Sequence, residues 1–546
     1  MKADCVQLPY EETGYFSTLV TDYLRGDAGL EAFYAHKPDV DGIKASIKAR
    51  QQFNQPREML VNALIEQYKG HDISEQVVAN MEALRSPDTF TITTAHQPNI
   101  LTGPLYFIYK ILHAIKLAAE LKKLLPQFNF VPVYYMGSED ADLEELGHIF
   151  LDGEKLEWTT DQSGAVGRMN TKGIEKLIDR LEGEFGNWKY GAEMVAMCRQ
   201  AYQHGNNVQQ ATLWLVNELF KSFGLIVLVP DNASLKKAFN TVVEKELTTR
   251  FSYPLVQKTI AAFGSQYKVQ AAGRAINLFY LSDDGSRDRI ELQEPANKSA
   301  NDSNASAEFV VVNKGLTFTQ QGILDELHAH PERFSGNVIL RPVFQETILP
   351  NIAFIGGGGE LAYWMELKKV FEAAEVPYPV LLLRNSLLLV LPTHHQLQQK
   401  LAINTKALFQ KQDLLIKDLI QRNTDNKLDT KEAQKTVYDL YKKLQDQASD
   451  IDPTLKAHVA ALHVRTLQGL TGLEKKFLRA EKRKQSNIIA QVKKLKSALF
   501  PNENLQERID NFMPLYATYG FALIQLLYEH SQPIAKNFSI LYLEED

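Results

Sequence analysis

The sequence predicts an α/β protein: a doubly wound parallel sheet interrupted by insertions, followed by an antiparallel α-helical coiled-coil hairpin. Three observations predict it. A strand–loop–helix–strand unit occupies residues 88–138, its grammar returns at Gly224–Asp231, and from Thr393 long charged segments carry leucines at heptad spacing. With 546 residues, 45% hydrophobic and 23% charged, the composition is that of a globular chain of roughly three or four domains. The two cysteines, Cys5 and Cys198, exclude a disulfide scaffold and any multi-cysteine metal site. A balance of 60 basic against 66 acidic residues, net −6, argues against a nucleic-acid coat or a polybasic membrane binder.

The elements follow in order. Residues 1 to about 86 read as helical, with apolar residues at mixed three and four spacing. DTFTITTAHQPN then switches to period two, a strand, and a loop from Gln97 to Gly103 leads to Pro104, a favoured first-turn residue. The helix that follows carries Ile108, Ile111, Leu112, Ile115 and Leu121 and ends before Pro126, and FVPVYYMGS supplies the next strand. Residues 149–170 read as short antiparallel strands around an Asp-Gly turn, and 171–222 as helical, together an insertion spanning about 149–222. GLIVLVPD is a core strand followed by a helix from Ser234. A second insertion spans about 250–335, and within it 282–308 is poor in apolar residues and reads as a mobile loop. VILRPVFQE and PYPVLLLRN read as two further core strands, around Leu340 and Leu382.

These pieces define a core over 1–392, a hairpin over 393–499 and a tail over 500–546 that packs back on the core. Residues 395–449 and 455–499 form the hairpin arms, broken once by Asp452-Pro453; an arm of about 45 residues extends roughly 70 Å. Leu401, Leu408 and Leu415 recur at seven, and Thr466 is the one polar gap in the second stripe. The start, MKADCVQLPYEE, lacks the apolar stretch of a secretory signal, and LIVLVP and LLLVLP fall far short of the ~20 residues of a spanning helix. The expectation is a cytoplasmic protein with neither membrane nor nucleic acid as partner.

Three stretches hold the chemistry. In AHQPNILTGPLY, a strand ends in His96-Gln97 and Gly103-Pro104 stands at a helix start, placing polar side chains and N–H groups where phosphate or carboxylate can bind. A tight turn that needs Gly and Pro for geometry alone is the competing reading. In GSEDADLEELGHIF, Ser138, Glu139, Asp140, Asp142 and His148 follow a strand at its carboxyl end, where open parallel sheets build their ligand crevice. They suit an amine, a general base or Mg²⁺, although acids at a helix start also compensate its dipole. In RPVFQETILPNIAFIGGGGELAYWM, Gly356, Gly357, Gly358 and Gly359 precede a helix led by Glu360 and offer close backbone approach to an anion. No P-loop Lys-Ser/Thr and no dinucleotide glycine spacing is present. Arg341, Gln345 and Glu346 add polar groups upstream, and the tail segment FPNENLQER offers Asn504 and Arg508.

HQPNILTGPLYFIYKILHAIKLA, VPVYYMGSEDADLEELGHI, RPVFQETILPNIAFIGGGGELAYWMELKKVF and LFPNENLQER, in that order over most of the chain, resemble the BshC family, the cysteine ligases of bacillithiol synthesis. This chain has Ala95 and His96 where that family's first motif usually begins with Gly and often carries Gln. The resemblance implies a Rossmann-like core akin to class I aminoacyl-tRNA synthetases and nucleotidylyltransferases, with a coiled coil that makes a homodimer. It implies ligation of the L-cysteine carboxyl to the amine of glucosaminyl-malate, and an ADP site between core and helical domain, carried by position onto Arg384, Asn385, Ser386, Asn504 and Arg508. On that reading ATP or ADP and Mg²⁺ are the expected cofactors, with no protein metal centre assigned.

The expected catalytic set is His96, Asn99, Glu139, Asp140 and Asp142. His96, Asn99 and the Gly103 turn contact phosphate or carboxylate, and the three acids hold or deprotonate the sugar amine. Gln97, Gly103, Ser138, His148, Gln345, Glu360 and Tyr363 join the four glycines, which cradle an anionic group such as the malate, as the substrate-binding set. Two alternatives stand beside the ligase. One is a nucleotide-binding coiled-coil adaptor without catalysis, whose phenotype survives substitution of Asp140 or His96. The other is a nucleotidylyltransferase acting on another small molecule, which cysteine-dependent pyrophosphate release argues against.

Overall fold

Two units divide the chain, residues 1–389 with 505–546, and residues 390–504. The structure, a computed structural model, describes residues 1–151, 153–293, 308–424 and 428–544. The stretch expected to be a mobile loop falls largely on 294–307, and so, like Asp152 of the expected Asp-Gly turn, lies outside the described residues.

In the first unit, β1 (Ala3–Pro9) leads to helices that include α1 (Val40–Gln51). Next come β2 (Thr89–His96), α2 (Tyr106–Leu124) and β3 (Asn129–Met136). A short α3 (Leu143–Leu146), the hairpin β4 (His148–Leu151) and β5 (Glu154–Glu157), and helices α4 (Glu175–Phe185), α5 (Gly191–His204) and α6 (Val208–Phe220) follow. β6 (Ile226–Leu228) and α7 (Ala233–Lys237) return to the core. An antiparallel sheet then interrupts it: β7 (Leu278–Leu281), β8 (Arg287–Gln293), β9 (Glu308–Val311), β10 (Leu316–Phe318) and β11 (Phe334–Gly336). The core resumes with α8 (Arg341–Ile348), β12 (Asn351–Gly356), α9 (Gly358–Met365), β13 (Val380–Leu383) and β14 (Leu387–Val390), and ends with β15 (Asn537–Leu543).

Five strands form one parallel sheet in the order β13-β12-β2-β3-β6. From β2 the chain steps outward through β3 to β6, then crosses back to β12 and on to β13. The direction of winding therefore reverses between β2 and β12, and ligands of open α/β sheets bind outside the carboxyl ends at such a switch point. Every residue of β2 is buried, which explains a strand of threonines rather than valines. β-Branched side chains suit the pleat, and the buried hydroxyls find partners: Thr94 Oγ1 donates to the Ile355 carbonyl at 2.9 Å. Phe90, Ile92, Leu117, Leu121, Ile352 and Val380 close the core on one face.

Three expectations are corrected here. Ala3–Pro9 is a strand, not helix, because it pairs antiparallel with Asn537–Leu543 from the far end of the chain, a partner no local pattern announces. The segment around Leu340 is not a core strand. Pro342 lies in the first turn of α8, where its missing N–H has no partner to lose, and the strand is the later Asn351–Gly356. The helix expected from Pro104 begins at Tyr106, and Pro104 instead bridges to Asn511.

In the second unit the expected arms are shortened. α10 (Gln412–Arg422), α11 (Lys431–Ile451), α12 (Leu455–Lys484) and α13 (Ser486–Leu499) are separate helices. The antiparallel pair is α11 with α12, of 21 and 30 residues. Leu401, Leu408, Leu415 and Leu419 are buried outside the hairpin seam, because the helix that carries the last two ends at Arg422, before α11 begins at Lys431. Thr466, the polar gap in the second stripe, is bonded across the pair. Its Oγ1 bonds Tyr441 Oη at 2.8 Å, and the Tyr441 ring stacks on His463 at 5.1 Å.

Candidate active site at the sheet's switch point

The loop after β2 is built around one glycine. Gly103 has φ +60°, and a Cβ there would lie 2.7 Å from Asn99 Cβ, so only glycine lets the loop close on Asn99. Leu101 N–H donates to Tyr202 Oη at 2.7 Å, and Asn511 Nδ2 donates to the carbonyls of Leu101 and Gly103, both at 2.8 Å. Leu105 N–H is taken by the Asp510 carbonyl at 2.9 Å. The start of α2, expected to present free N–H groups to an anion, is thus partly satisfied by the chain's own tail.

His96 ends β2. Its ring packs against Tyr106 and Phe107, with centroids 5.3 and 5.4 Å away. Burial, reinforced by the nearby Lys110 and Arg384 charges, holds the imidazole pKa well below its usual value, so the ring is neutral at neutral pH. Its Nε2 has no hydrogen-bond partner among the described residues, and the same holds for Asn99 Oδ1 and Thr102 Oγ1 in the loop and for Ser138 Oγ after β3. These residues sit on adjacent strand ends, since His96 pairs with Met136. Buried polar atoms are nearly always bonded, and four unpartnered ones on neighbouring strand ends make the switch point the candidate site.

The acids after β3 divide by environment. Glu139 is committed: its carboxylate pairs with Lys236 of α7 and accepts from Ser335 Oγ at 2.6 Å. Asp140 accepts from Gln97 Nε2 at 3.1 Å, which ties the ends of β2 and β3 together. Asp142 caps α3 by accepting from Glu145 N at 3.0 Å. His148 stands on β4 with Nδ1 2.8 Å from the Glu144 carbonyl, paired across the hairpin with Glu157. Among the described residues no three His, Cys, Asp or Glu side chains are grouped to hold a metal. The expected Glu139, Asp140 and Asp142 trio thus has three different partners, acting as a clamp, a tether and a cap.

Across the switch point, Glu360 Oε2 accepts from Gly357 N at 2.8 Å and pairs with Lys110 Nζ at 2.5 Å. Lys110, almost wholly buried in α2, also donates to the Ala95 carbonyl at 2.7 Å, joining the ends of β2 and β12. A Cβ on Gly358 would meet Val20 Cγ2 at 2.9 Å, whereas Gly359 has open space. The Gly356 carbonyl accepts from Arg384 N at 2.8 Å. Gln345 accepts from Arg341 at 3.2 Å and donates to Glu346 at 2.9 Å, and Tyr363 Oη accepts from Arg341 at 2.9 Å.

Of the residues expected at an ADP site, Arg384, Asn385 and Ser386 are bonded within the first unit. Arg384 is buried, with Nη2 on Glu507 at 2.8 Å and Nη1 on the Asn385 carbonyl and Ser386 Oγ. Asn385 exchanges two bonds with Gln532, and the Ser386 carbonyl accepts from Ser539 N. Arg508 is exposed in this unit, while Asn504 belongs to the other.

Sequence reasoning missed Lys110, Arg168, Asp231 and Lys236. Arg168 grips Asp231 bidentately at 2.7 Å twice, and Lys236 donates to the Glu332 carbonyl at 2.8 Å. Lys110 alone left a signal, a lysine inside the apolar stripe Ile108–Ile111. The others come from insertions and turns whose proximity depends on the tertiary fold.

Comparison with known proteins agrees with this architecture. The family model described as "Bacillithiol biosynthesis BshC, N-terminal Rossmann-like domain" matches residues 1–385, and "Bacillithiol biosynthesis BshC, C-terminal coiled-coil domain" matches 387–543. A protein of Flavobacterium johnsoniae is 38% identical over 99% of this chain and 100% of its own length. Relatives in Flavobacterium psychrophilum and Christiangramia forsetii are 38% and 37% identical, each over 99% of both chains. All three carry the name "Putative cysteine ligase BshC".

Proposed function

The chain belongs to the BshC family of bacillithiol biosynthesis, and from that premise we propose that it ligates the carboxyl of L-cysteine to the amine of glucosaminyl-malate, consuming ATP. The observation that carries the reading is the set of unpartnered buried polar atoms, His96 Nε2, Asn99 Oδ1 and Ser138 Oγ, at the carboxyl edge of the sheet. An amide cannot form directly from a carboxylate, whose oxygen is a poor leaving group. A nucleoside triphosphate would supply that leaving group: transfer of its phosphoryl or adenylyl group to the carboxylate would release ADP or pyrophosphate, and the amine's attack would then expel phosphate or AMP.

The chain's residues do the rest. Asp140, held by Gln97 but otherwise less committed than Glu139, accepts the proton that the sugar ammonium must lose before its nitrogen attacks. Neutral His96 and Asn99 orient the activated carboxyl, and Lys110, fixed between Ala95 and Glu360, holds together the ends of β2 and β12 beside them. The glycines after β12 admit the malyl group. In the second unit, Leu440, Leu444, Ile451, Val464 and Phe477 are exposed on the hairpin, which supports a homodimer formed there. No described helix is long and apolar enough to cross a membrane.

The test is direct. Purified protein given cysteine, glucosaminyl-malate and ATP yields bacillithiol, read by mass spectrometry of the labelled thiol, and nothing forms when ATP is omitted. Asp140→Asn lowers kcat by roughly 100-fold or more, the usual worth of a positioned base. Absence of product, together with unchanged bacillithiol in a strain lacking the gene, overturns the assignment.

A further inference from the structure

Four cations near the strand ends each have a carboxylate of their own: Lys110 has Glu360, Arg168 has Asp231, Lys236 has Glu139 and Arg384 has Glu507. A fifth, Arg287, directs its fork at Ser335 Oγ and the Gly336 carbonyl, at 3.2 and 3.0 Å, and lies 4.0 Å from the Phe279 ring centre. Arg341, like Arg287, has no ion pair among the described residues. Half-buried at the start of α8, it donates through Nη1 to Gln345 Oε1 and through Nη2 to Tyr363 Oη, and its guanidinium lies 5.6 Å from the Tyr135 ring centre. All three neighbours are neutral, and among the described residues no carboxylate forms an ion pair with it.

The fork is nevertheless oriented. Gln345 is held in turn by its bond to Glu346, and Glu346 by the fully buried Arg50 at 2.6 Å. Tyr135 is the next-to-last residue of β3 and Tyr363 lies on the helix after β12, so Arg341 stands between the two elements that flank β2 at the switch point. A guanidinium has five N–H donors, and among the described residues two of them are used. Glu360 acts on this guanidinium through space without forming an ion pair with it, and a partly buried, positioned guanidinium without an ion pair suits a planar two-oxygen anion, which takes two parallel N–H bonds.

We propose that Arg341 receives a carboxylate of the substrate in this site, an inference that rests on the ligase reading. Both substrates carry that chemistry: cysteine through its single carboxyl and glucosaminyl-malate through its malyl group. Calorimetric titration of the full-length protein with each compound separately distinguishes the sources.

Replacing a charge-assisted pair by an apolar side chain is worth about 10- to 100-fold in affinity. Arg341→Met is therefore expected to weaken binding of one of the two compounds about 10- to 100-fold, leaving the other within twofold. Arg341→Lys keeps the charge, loses the fork and falls between; it also serves should the methionine variant fail to fold. In turnover the loss appears as a raised KM for the same compound. If both affinities stay within twofold in both variants, the inference is wrong even where wild type makes bacillithiol. If wild type makes none but Arg341→Met still abolishes binding of one compound, the carboxylate assignment stands and the ligase reading falls.

Discussion

Lys110→Met probes the joint between the two halves of the sheet. The ammonium makes two bonds, to the Ala95 carbonyl at 2.7 Å and to Glu360 Oε2 at 2.5 Å, and its side chain is 2% exposed against 25% for Glu360. Breaking a fully buried ion pair by deleting one partner costs about 3–5 kcal/mol. Glu360 retains its bond from Gly357 N and some water, which lowers the carboxylate's share. The Ala95 carbonyl, at the end of an entirely buried strand, adds about 1–3 kcal/mol as an orphaned acceptor. The expected total is about 3 kcal/mol. Glu360→Gln removes less, because the ammonium keeps its bond to the Ala95 carbonyl. The double variant is then milder than the sum of the singles, with a coupling of about 2 kcal/mol. Scanning calorimetry reads this on the transition of the first unit, where roughly 1–2 °C is lost per kcal/mol for a body this large. A drop below 1 °C for Lys110→Met, or strict additivity, refutes the argument that this pair ties β2 to β12.

Two further outcomes follow. His113 is wholly buried, with Nε2 3.0 Å from the Pro533 carbonyl and Nδ1 accepting from Asn385 N at 3.2 Å, and burial pushes its pKa down to about 4. The unfolded chain takes up that proton near pH 6.5, so this contribution to stability is complete above pH 6.5 and lost on falling toward pH 4, about 3 kcal/mol in all; equal acid sensitivity in His113→Gln refutes it. Gly103→Ala forces a Cβ to 2.7 Å from Asn99 at φ +60° and is expected to lower stability by about 2 kcal/mol or more, whereas Gly359→Ala enters open space and leaves the melting temperature unchanged within 1 °C.

The parallel unit from Thr89 to Met136 was legible because its signals are local: alternation, a Gly-Pro turn, and a helix stripe each span a few residues. Those signals also placed the His96 loop and the four glycines at strand ends, and the switch point then set them side by side. The roles of the acids were not legible. Glu139, Asp140 and Asp142 look equivalent as a string, yet Lys236 and Ser335 claim the first, Gln97 the second and a helix N–H the third. The coiled coil was read too long for a related reason: heptad leucines at 401, 408 and 415 are equally good at packing beside a hairpin as inside one.

What the sequence by itself determined is therefore the set of elements, their class and the loops that carry chemistry, together with motifs specific enough to place the chain in its family. Only the tertiary structure decided which charge meets which: Arg384 with Glu507, Lys110 with Glu360, Arg341 with no ion pair among the described residues, and β1 with a strand from the other end of the chain. Periodicity reports the environment of one segment at a time. The partner of a buried charge depends instead on crossovers that bring distant segments together, and desolvation makes that partner decide whether a side chain is a structural clamp or is left for a substrate.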